Sequence, residues 1–261
     1  MSVVDQIPTF QVLGVTVHLV QMSQVLRTIE QWIDQRGGCR YVVANQMHGI
    51  MESRRDPQFK IVLNSADLFV PDGLSLIWAA RRRGFKEHTR VPGPDLFLEG
   101  CQLAAERGYR VFFYGDTEET LEALTLQLKG RFPDLRIVGA YSPPFRPLTP
   151  EEDALEVQMI NESEADIVWV GLGSPKQEKW MYEHQDRLDV PVLVGVGAAF
   201  KFLSGGVKRA PTWVGDHGFE WLWRLIQEPR RVWRRVIIDG PHFMISVMLE
   251  NLDSKSRGKT K

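Results

Sequence analysis

The chain has 261 residues, 43% hydrophobic and 25% charged, which is sufficient for the core of one large domain or of one domain with an appendage. Its two cysteines exclude a disulfide scaffold and favour a reducing compartment, and the sequence predicts neither a secretory signal nor a transmembrane helix. The net charge of −1 conceals a basic C-terminal part, where 11 Lys and Arg stand against 6 Asp and Glu after position 207. This excess indicates either an anionic partner or a solvated helical face.

Strands and helices are predicted to alternate along the first 207 residues. The weak alternation of residues 10–20 predicts an edge hairpin or an added strand. Several later strands are short, continuous apolar runs, which are typical of strands buried on both faces of a parallel sheet. The predicted strands are 40–44, 67–70, 109–114, 136–141, 166–171 and 191–196.

Two of the intervening helices have clear start signals. The segment 116–119 resembles a capping box and predicts a helix that runs to about Gly130. Pro150 lies at a favourable first-turn position of the next helix. Strand and helix alternation at this spacing predicts an α/β fold with a Rossmann-like, mostly parallel sheet and helices on both faces.

The pattern changes after Phe202, where Gly205 and Gly206 interrupt the chain. Beyond them the sequence predicts helices, with breaks at Pro229 and at Gly240-Pro241. We therefore predict a catalytic α/β domain, a helical C-terminal appendage and a disordered tail. Their bounds are 1–207, 208–252 and 253–261.

Polar residues that directly follow predicted strands are the first candidates for a site, because open α/β sheets bind ligands beyond the carboxyl ends of their strands. Asp72 follows one strand and precedes a helix, so it is either a general base or an N-cap. Asn45 follows another strand, where it can cap a helix or bind a sugar hydroxyl. Local sequence leaves both choices open.

Glycines at the strand ends indicate close approach of the backbone to a ligand. The segment 171–177 joins a strand end to a helix N-terminus, which suits a phosphate or diphosphate. Gln177 lies three residues after Ser174, so a plain capping box is the alternative. The candidate glycines are Gly115, Gly171, Gly173 and Gly197.

No metal site is predicted, because the histidines form no close pair on one helical face and no Asp-x-Asp follows a strand. A departing diphosphate would then need protein cations and helix dipoles. An arginine cluster can supply the cations, and neighbouring tryptophans suit a membrane interface. Nucleic acid is discounted because the core is acidic and no nucleic-acid motif occurs. The cluster comprises Arg224, Arg230, Arg231, Arg234 and Arg235.

These features together resemble the WecG/TagA/CpsF family of bacterial glycosyltransferases along nearly the whole chain. The C-terminal segments are the most specific part of the resemblance. The matching segments are 42–45, 71–73, 90–96, 171–178, 195–200, 209–213, 218–231 and 233–235.

The resemblance implies an inverting, metal-independent enzyme without a cofactor, which moves a sugar from a UDP-sugar to a polyprenyl-diphosphate-linked saccharide in cell-surface polysaccharide assembly. It implies that Asp72 is the base and that an appendage docks on the inner face of the plasma membrane, with a possible homo-oligomer. The donor sugar could be of N-acetylmannosamine type, a uronic acid or a hexose. The implied substrate-binding residues are Asn45, Arg90, Gln177, Arg224, Arg231 and Arg234.

Two other functions remain open on the residues alone. The α/β core is compatible with a nucleotide-binding oxidoreductase, although the spaced glycine fingerprint of that class is missing. The arginines and tryptophans of the C-terminal part are compatible with a non-catalytic adaptor at a membrane surface.

Overall fold

A six-stranded parallel sheet forms the centre of the protein in the computed structural model, which describes residues 3–85, 89–206, 223 and 233–257. The order across the sheet is β4-β3-β8-β7-β5-β6, and β1 and β2 form a separate antiparallel hairpin. The predicted hairpin and strands are confirmed, the sheet strands to within one residue at each end. The strands are β1 (Thr9–Val12), β2 (Val15–His18), β3 (Arg40–Asn45), β4 (Leu68–Pro71), β5 (Arg110–Gly115), β6 (Arg136–Tyr141), β7 (Ile167–Gly171) and β8 (Val192–Gly195).

Helices cover both faces of the sheet, which confirms the predicted Rossmann-like α/β architecture. Successive strand residues point to opposite faces, so Tyr41 and Val43 enter one core while Val42 and Ala44 enter the other. The helices are α1 (Met22–Gln35), α2 (Met47–Arg55), α3 (Pro57–Asn64), α4 (Leu74–Arg82), α5 (Gly93–Arg107), α6 (Glu118–Arg131), α7 (Pro150–Glu162), α8 (Lys176–His184), α9 (Ala199–Leu203) and α10 (Gly240–Arg257).

The predicted helix starts are confirmed in position, and the caps explain them. Thr149 caps α7 through a complete capping box with Glu152, and Pro150 is the first helical residue. At α6 the N-cap is Thr117 and not Asp116, so the predicted capping box over 116–119 is wrong. The Thr117 hydroxyl accepts a hydrogen bond from Thr120 N.

The last described helix, α10, packs against the α/β core. Its Phe243 and Val247 side chains are fully buried in the same core as the β1–β2 hairpin. A π-helical turn, Arg235–Asp239, leads directly into α10, so the expected break at Gly240 is a change of helix type. The helix runs to Arg257, into the segment 253–261 that was predicted to be disordered. Most of the predicted appendage, residues 208–222 and 224–232, lies outside the described residues.

The strand connections predict a ligand crevice beyond the carboxyl ends of the strands. The chain passes from β3 to β4 at one edge and from β5 to β6 at the other, so the two halves of the sheet are wound in opposite directions. Ligands of open α/β sheets bind where the winding reverses, beyond the carboxyl ends of the strands. The residues after β3, β4, β7 and β8 therefore line the expected site.

Candidate active site

Asp72 lies directly after β4, at the edge of this crevice. The N-cap of α4 is Gly73 and not Asp72, so the capping interpretation of Asp72 is wrong. Its Oδ2 accepts a hydrogen bond from Gln46 Nε2 at 2.9 Å, and its Oδ1 accepts one from Gly93 N at 3.3 Å. Both donors stabilise the ionised carboxylate, which is the form that a general base needs.

Asn45, the last residue of β3, joins this carboxylate to the interior. It does not cap α2, whose N-cap is Gln46. Its Nδ2 donates to Glu178 Oε1 at 2.8 Å and to Ser174 Oγ at 3.2 Å, while its Oδ1 accepts from Gln46 N at 2.8 Å. The side chain of Asn45 therefore bridges the ends of β3 and β7.

Glu178 is a fully buried carboxyl in the first turn of α8. Burial raises its pKa from the ordinary 4.5 to about 7, and hydrogen bonds from Ser174, Gln177 and Asn45 limit the rise. Among the described residues its second oxygen, Oε2, has no hydrogen-bond partner. The Glu178 carboxyl therefore titrates near neutral pH, which is unusual for a glutamate.

Gln177 connects the loops that follow β7 and β8. The alternative interpretation of Gln177 as part of a capping box with Ser174 is wrong, because the N-cap of α8 is Pro175. Instead, Gln177 Oε1 accepts hydrogen bonds from Gly197 N at 2.9 Å and from Gly173 N at 3.2 Å. These two N–H groups, which were predicted to contact a ligand, are thus bonded within the protein. Gln177 is 1% exposed and acts here as a clamp between the two loops.

Gly115 and Gly171 are explained by close packing. A Cβ atom on Gly115 would lie 2.8 Å from the Gly171 carbonyl carbon, and a Cβ on Gly171 would lie 2.4 Å from the Phe200 ring. Only glycine permits these approaches at the ends of β5 and β7. Their predicted contact with substrate stays a prediction.

The predicted arginines are placed unevenly. Arg90 precedes Val91, whose N–H donates to Pro71 O at 2.8 Å, so the backbone of Arg90 runs beside the strand end that carries Asp72. Arg234 lies in a helical turn and its side chain is exposed. Arg224 and Arg231 lie outside the described residues.

The start of the C-terminal helix is anchored on α2. Asp239, 1% exposed, forms an ion pair with Arg55 and lies 3.3 Å from His48 Nδ1, and both partners belong to α2. Burial acts to raise the pKa of the Asp239 carboxyl, but Arg55 and His48 outweigh it, so the pKa lies below its ordinary value. Further along α10, Glu250 pairs with Arg83 at 2.5 Å. The C-terminal segment is thereby fixed next to α2, which begins two residues after Asn45.

Two contacts of the crevice were missed by sequence reasoning. Gln46 holds Asp72, and Glu178 holds Asn45. An amide directly after Asn45 could have been suspected, since both follow the same strand. An acidic residue in the first turn of a helix looks like an ordinary partner of the helix dipole, so nothing local marked Glu178 as buried.

Across residues 3–85, 89–206, 223 and 233–257, no group of three or more His, Cys, Asp or Glu side chains is arranged to hold a metal ion. In those same ranges no helix is long and apolar enough to cross a bilayer.

Comparison with known proteins identifies the class. Residues 10–257 match the glycosyl transferase WecG/TagA/CpsF family. The chain belongs to this family. A relative from Bacillus spizizenii is 34% identical over 83% of this chain and 81% of its own length. Relatives from Bacillus subtilis and Staphylococcus aureus are 28% and 27% identical over 87% and 90% of this chain. All three are named N-acetylglucosaminyldiphosphoundecaprenol N-acetyl-beta-D-mannosaminyltransferase.

Membership confirms the resemblance seen in the sequence motifs and makes the protein a glycosyltransferase. The oxidoreductase and adaptor interpretations are not supported. The family match also includes the described C-terminal helix up to Arg257, so this segment is a shared part of the enzyme.

Proposed function

We propose that this enzyme transfers an N-acetylmannosamine-type sugar from a UDP-sugar to a saccharide linked to a polyprenyl diphosphate, with Asp72 as general base. The names of the relatives support the transferred sugar and the class of acceptor. The observation that carries the catalytic assignment is the Asp72 carboxylate, which both Gln46 and Gly93 hold at the carboxyl edge of the sheet.

The reaction follows from that placement. Asp72 accepts the proton of an acceptor hydroxyl as the hydroxyl oxygen attacks the anomeric carbon of the donor. The new glycosidic C–O bond forms while the C–O bond to the β-phosphate breaks, so UDP leaves from the opposite face and the anomeric configuration inverts. A positioned base of this kind contributes about 10² to 10⁴ in rate.

Charge on the leaving diphosphate requires a cation, and we assign it to arginine without a metal ion or cofactor. Arg90 lies beside the strand end that carries Asp72 and is the first candidate. Arg224, Arg231 and Arg234 are the C-terminal candidates. Fixed positive charge in an enclosed site stabilises charge that develops in the transition state.

We also assign contact with an anionic membrane surface to the C-terminal segment, which would place the enzyme on the inner face of the plasma membrane. Large apolar side chains are exposed there next to Arg234, as expected of a segment that enters the headgroup region. The same surface could join copies of the chain in a homo-oligomer. These side chains are Trp233, Ile237, Ile238, Ile245 and Leu249.

The catalytic assignment is tested with Asp72→Asn. UDP release is measured with a panel of UDP-sugars and a short-chain lipid-diphosphate acceptor carrying N-acetylglucosamine. We expect transfer to fall by at least about 10²-fold while UDP affinity and melting temperature persist. Asp134→Asn, an exposed loop residue, is the matched control. Undiminished transfer by the Asp72 variant would refute the assignment, and loss of folding would make Asp72 a structural residue.

Membrane contact is tested by sedimentation with anionic and neutral vesicles. Replacement of Ile238 and Leu249 by Ser should release the enzyme from anionic vesicles without lowering transfer to a water-soluble acceptor. If the replacement instead changes the oligomeric state and leaves vesicle binding intact, the exposed surface joins copies of the chain and does not contact lipid.

A further inference from the structure

Gln46 contacts both Asn45 and Asp72, and it has no assigned role in the reaction beyond its contact with the Asp72 carboxylate. Its Nε2 donates to Asp72 Oδ2 at 2.9 Å. The direction of this amide is settled by its partner, because a carboxylate oxygen can only accept and the amide nitrogen must therefore face it. Gln46 thus donates its amide hydrogen bond to Asp72 Oδ2.

The backbone around Gln46 is fixed from the strand side. Gln46 N donates to Asn45 Oδ1 at 2.8 Å, and Asp72 N donates to Asn45 O at 3.0 Å. Gln46 and Asp72 are therefore both tied to Asn45, in addition to their own side-chain contact. A Cβ on Gly73 would lie 3.3 Å from Gln46 Cβ and Cγ, so the glycine allows the amide side chain to pack closely against the start of α4.

Asn45 is itself oriented by a buried group. Because its Oδ1 faces the N–H of Gln46, its Nδ2 must point the other way, where it meets Glu178 Oε1 at 2.8 Å. The contacts form one chain from Glu178 through Asn45 and Gln46 to Asp72. A fully buried carboxyl is costly unless something is gained from its hydrogen bonds, and here those bonds fix the first amide of the chain.

We propose that Gln46 is a positioning residue that orients the Asp72 carboxylate for proton abstraction, and that Glu178 fixes Gln46 through Asn45. Gln46 holds Oδ2 and Gly93 N holds Oδ1, so the plane of the carboxylate is fixed before the acceptor hydroxyl arrives. This inference rests on the proposed role of Asp72 as base. Misplacement of a catalytic group by about 1 Å can cost about 10²-fold in rate.

The test compares two replacements that separate hydrogen bonding from packing. Gln46→Glu keeps the shape of the side chain but exchanges the donor for an acceptor that repels Asp72. Gln46→Met keeps the length and has no donor. If Gln46 positions Asp72, kcat falls by about 10- to 100-fold in the Met variant, on the order expected for a lost hydrogen bond to a charged group. In the Glu variant kcat falls further. KM and UDP affinity change less than threefold in both variants. If Gln46 only fills space, the uncharged Met variant of the same length keeps its kcat, and only the charge of the Glu variant lowers it.

Controls keep this result separate from the proposed function. Gln58→Glu makes the same exchange at an exposed position of α3 and should leave kcat unchanged. Asp72→Asn is assayed in parallel. Full transfer by Asp72→Asn would refute the assignment of Asp72 as base. If Asp72→Asn abolishes transfer but Gln46→Glu has a normal kcat, only the positioning role of Gln46 is refuted. Should Gln46→Glu fail to fold, the Met variant decides, because unaltered kcat there also overturns the proposal.

A variant at the far end of the chain of contacts tests the second half of the proposal. Glu178→Leu removes the acceptor of Asn45 Nδ2 at a fully buried position. We expect kcat to fall by about tenfold, with UDP affinity retained, in folded protein. An equal effect of Glu178→Leu in the presence and absence of Gln46→Met would show that the two residues act independently, and would remove Glu178 from the proposal.

Discussion

Replacement of Glu178 by Gln should stabilise the protein at neutral and alkaline pH. Glu178 is fully buried, and its pKa is raised from 4.5 to about 7. The folded protein therefore holds a proton that the unfolded chain has released between these two values. Since the folded pKa is the higher one, the free energy of unfolding falls as pH rises through this window and the loss is complete above about pH 7.

The size of the effect follows from the shift. A difference of about 2.5 pH units corresponds to about 3 kcal/mol at 1.36 kcal/mol per unit. A glutamine avoids this term, because it stays neutral, and its oxygen can still accept from Asn45 Nδ2. Its amide nitrogen would occupy the place of Oε2, which has no described partner, at a cost of about 1 kcal/mol or more. We expect a net gain of about 1 to 2 kcal/mol at pH 8 and, because the cost of the amide nitrogen does not depend on pH, a net loss of about 1 kcal/mol near pH 4.5.

Urea denaturation followed by circular dichroism, at intervals from pH 4.5 to 8.5, measures this difference. Glu183→Gln is the matched control, since Glu183 is an exposed carboxylate on the same helix. The decisive quantity is how the difference in free energy of unfolding between Glu178→Gln and the unaltered protein changes with pH, and not its value at one pH. Curves for Glu178→Gln and the unaltered protein that run parallel throughout would show that Glu178 titrates as an ordinary glutamate.

Two further changes test the site and the C-terminal anchor. A Cβ at Gly49 would lie 2.4 Å from Asn45 Oδ1, so Gly49→Ala should displace Asn45 and lower kcat by about 10- to 100-fold, and unchanged steady-state kinetics would contradict this. Arg55→Met should weaken the docking of α10 by about 1.5 to 3 kcal/mol, because it removes the charged partner of the buried Asp239 carboxylate. Arg55 is itself 37% exposed, so its replacement leaves no cavity in the core. Hydrogen exchange in α10 should then accelerate by at least about tenfold, whereas Arg107→Met, which breaks an exposed pair elsewhere, should leave it unaltered.

Local sequence was sufficient for the elements of the fold. The strands of the sheet centre are continuous apolar runs because helices cover both of their faces, and this burial is visible in the sequence itself. The start of α7 was equally clear, since Thr149, Pro150 and Glu152 are neighbours along the chain and their capping contacts are local. Motifs in a fixed order then indicated the family.

The roles of the site residues were decided by contacts between distant parts of the chain. The sequence allowed Gln177 to cap its own helix, but the Gln177 side-chain oxygen instead accepts a hydrogen bond from the N–H of Gly197, twenty positions away. Asp72 was as plausible a cap as a base, until Gly73 proved to be the N-cap and Gln46 to be the partner of the carboxylate. Such contacts depend on which strands are neighbours in the sheet, and the order of parallel strands is not written in any local pattern.

The sequence by itself therefore determined the α/β architecture, the family and the candidate status of Asp72. Only the tertiary structure decided that Glu178 is buried, that it is linked to Asp72 through Asn45 and Gln46, and that Asp239 anchors the C-terminal helix on α2. The physical reason is that periodicity and capping arise from neighbours along the chain. Burial of a carboxyl and the direction of an amide are set by groups that meet only after the strands have paired and the helices have packed.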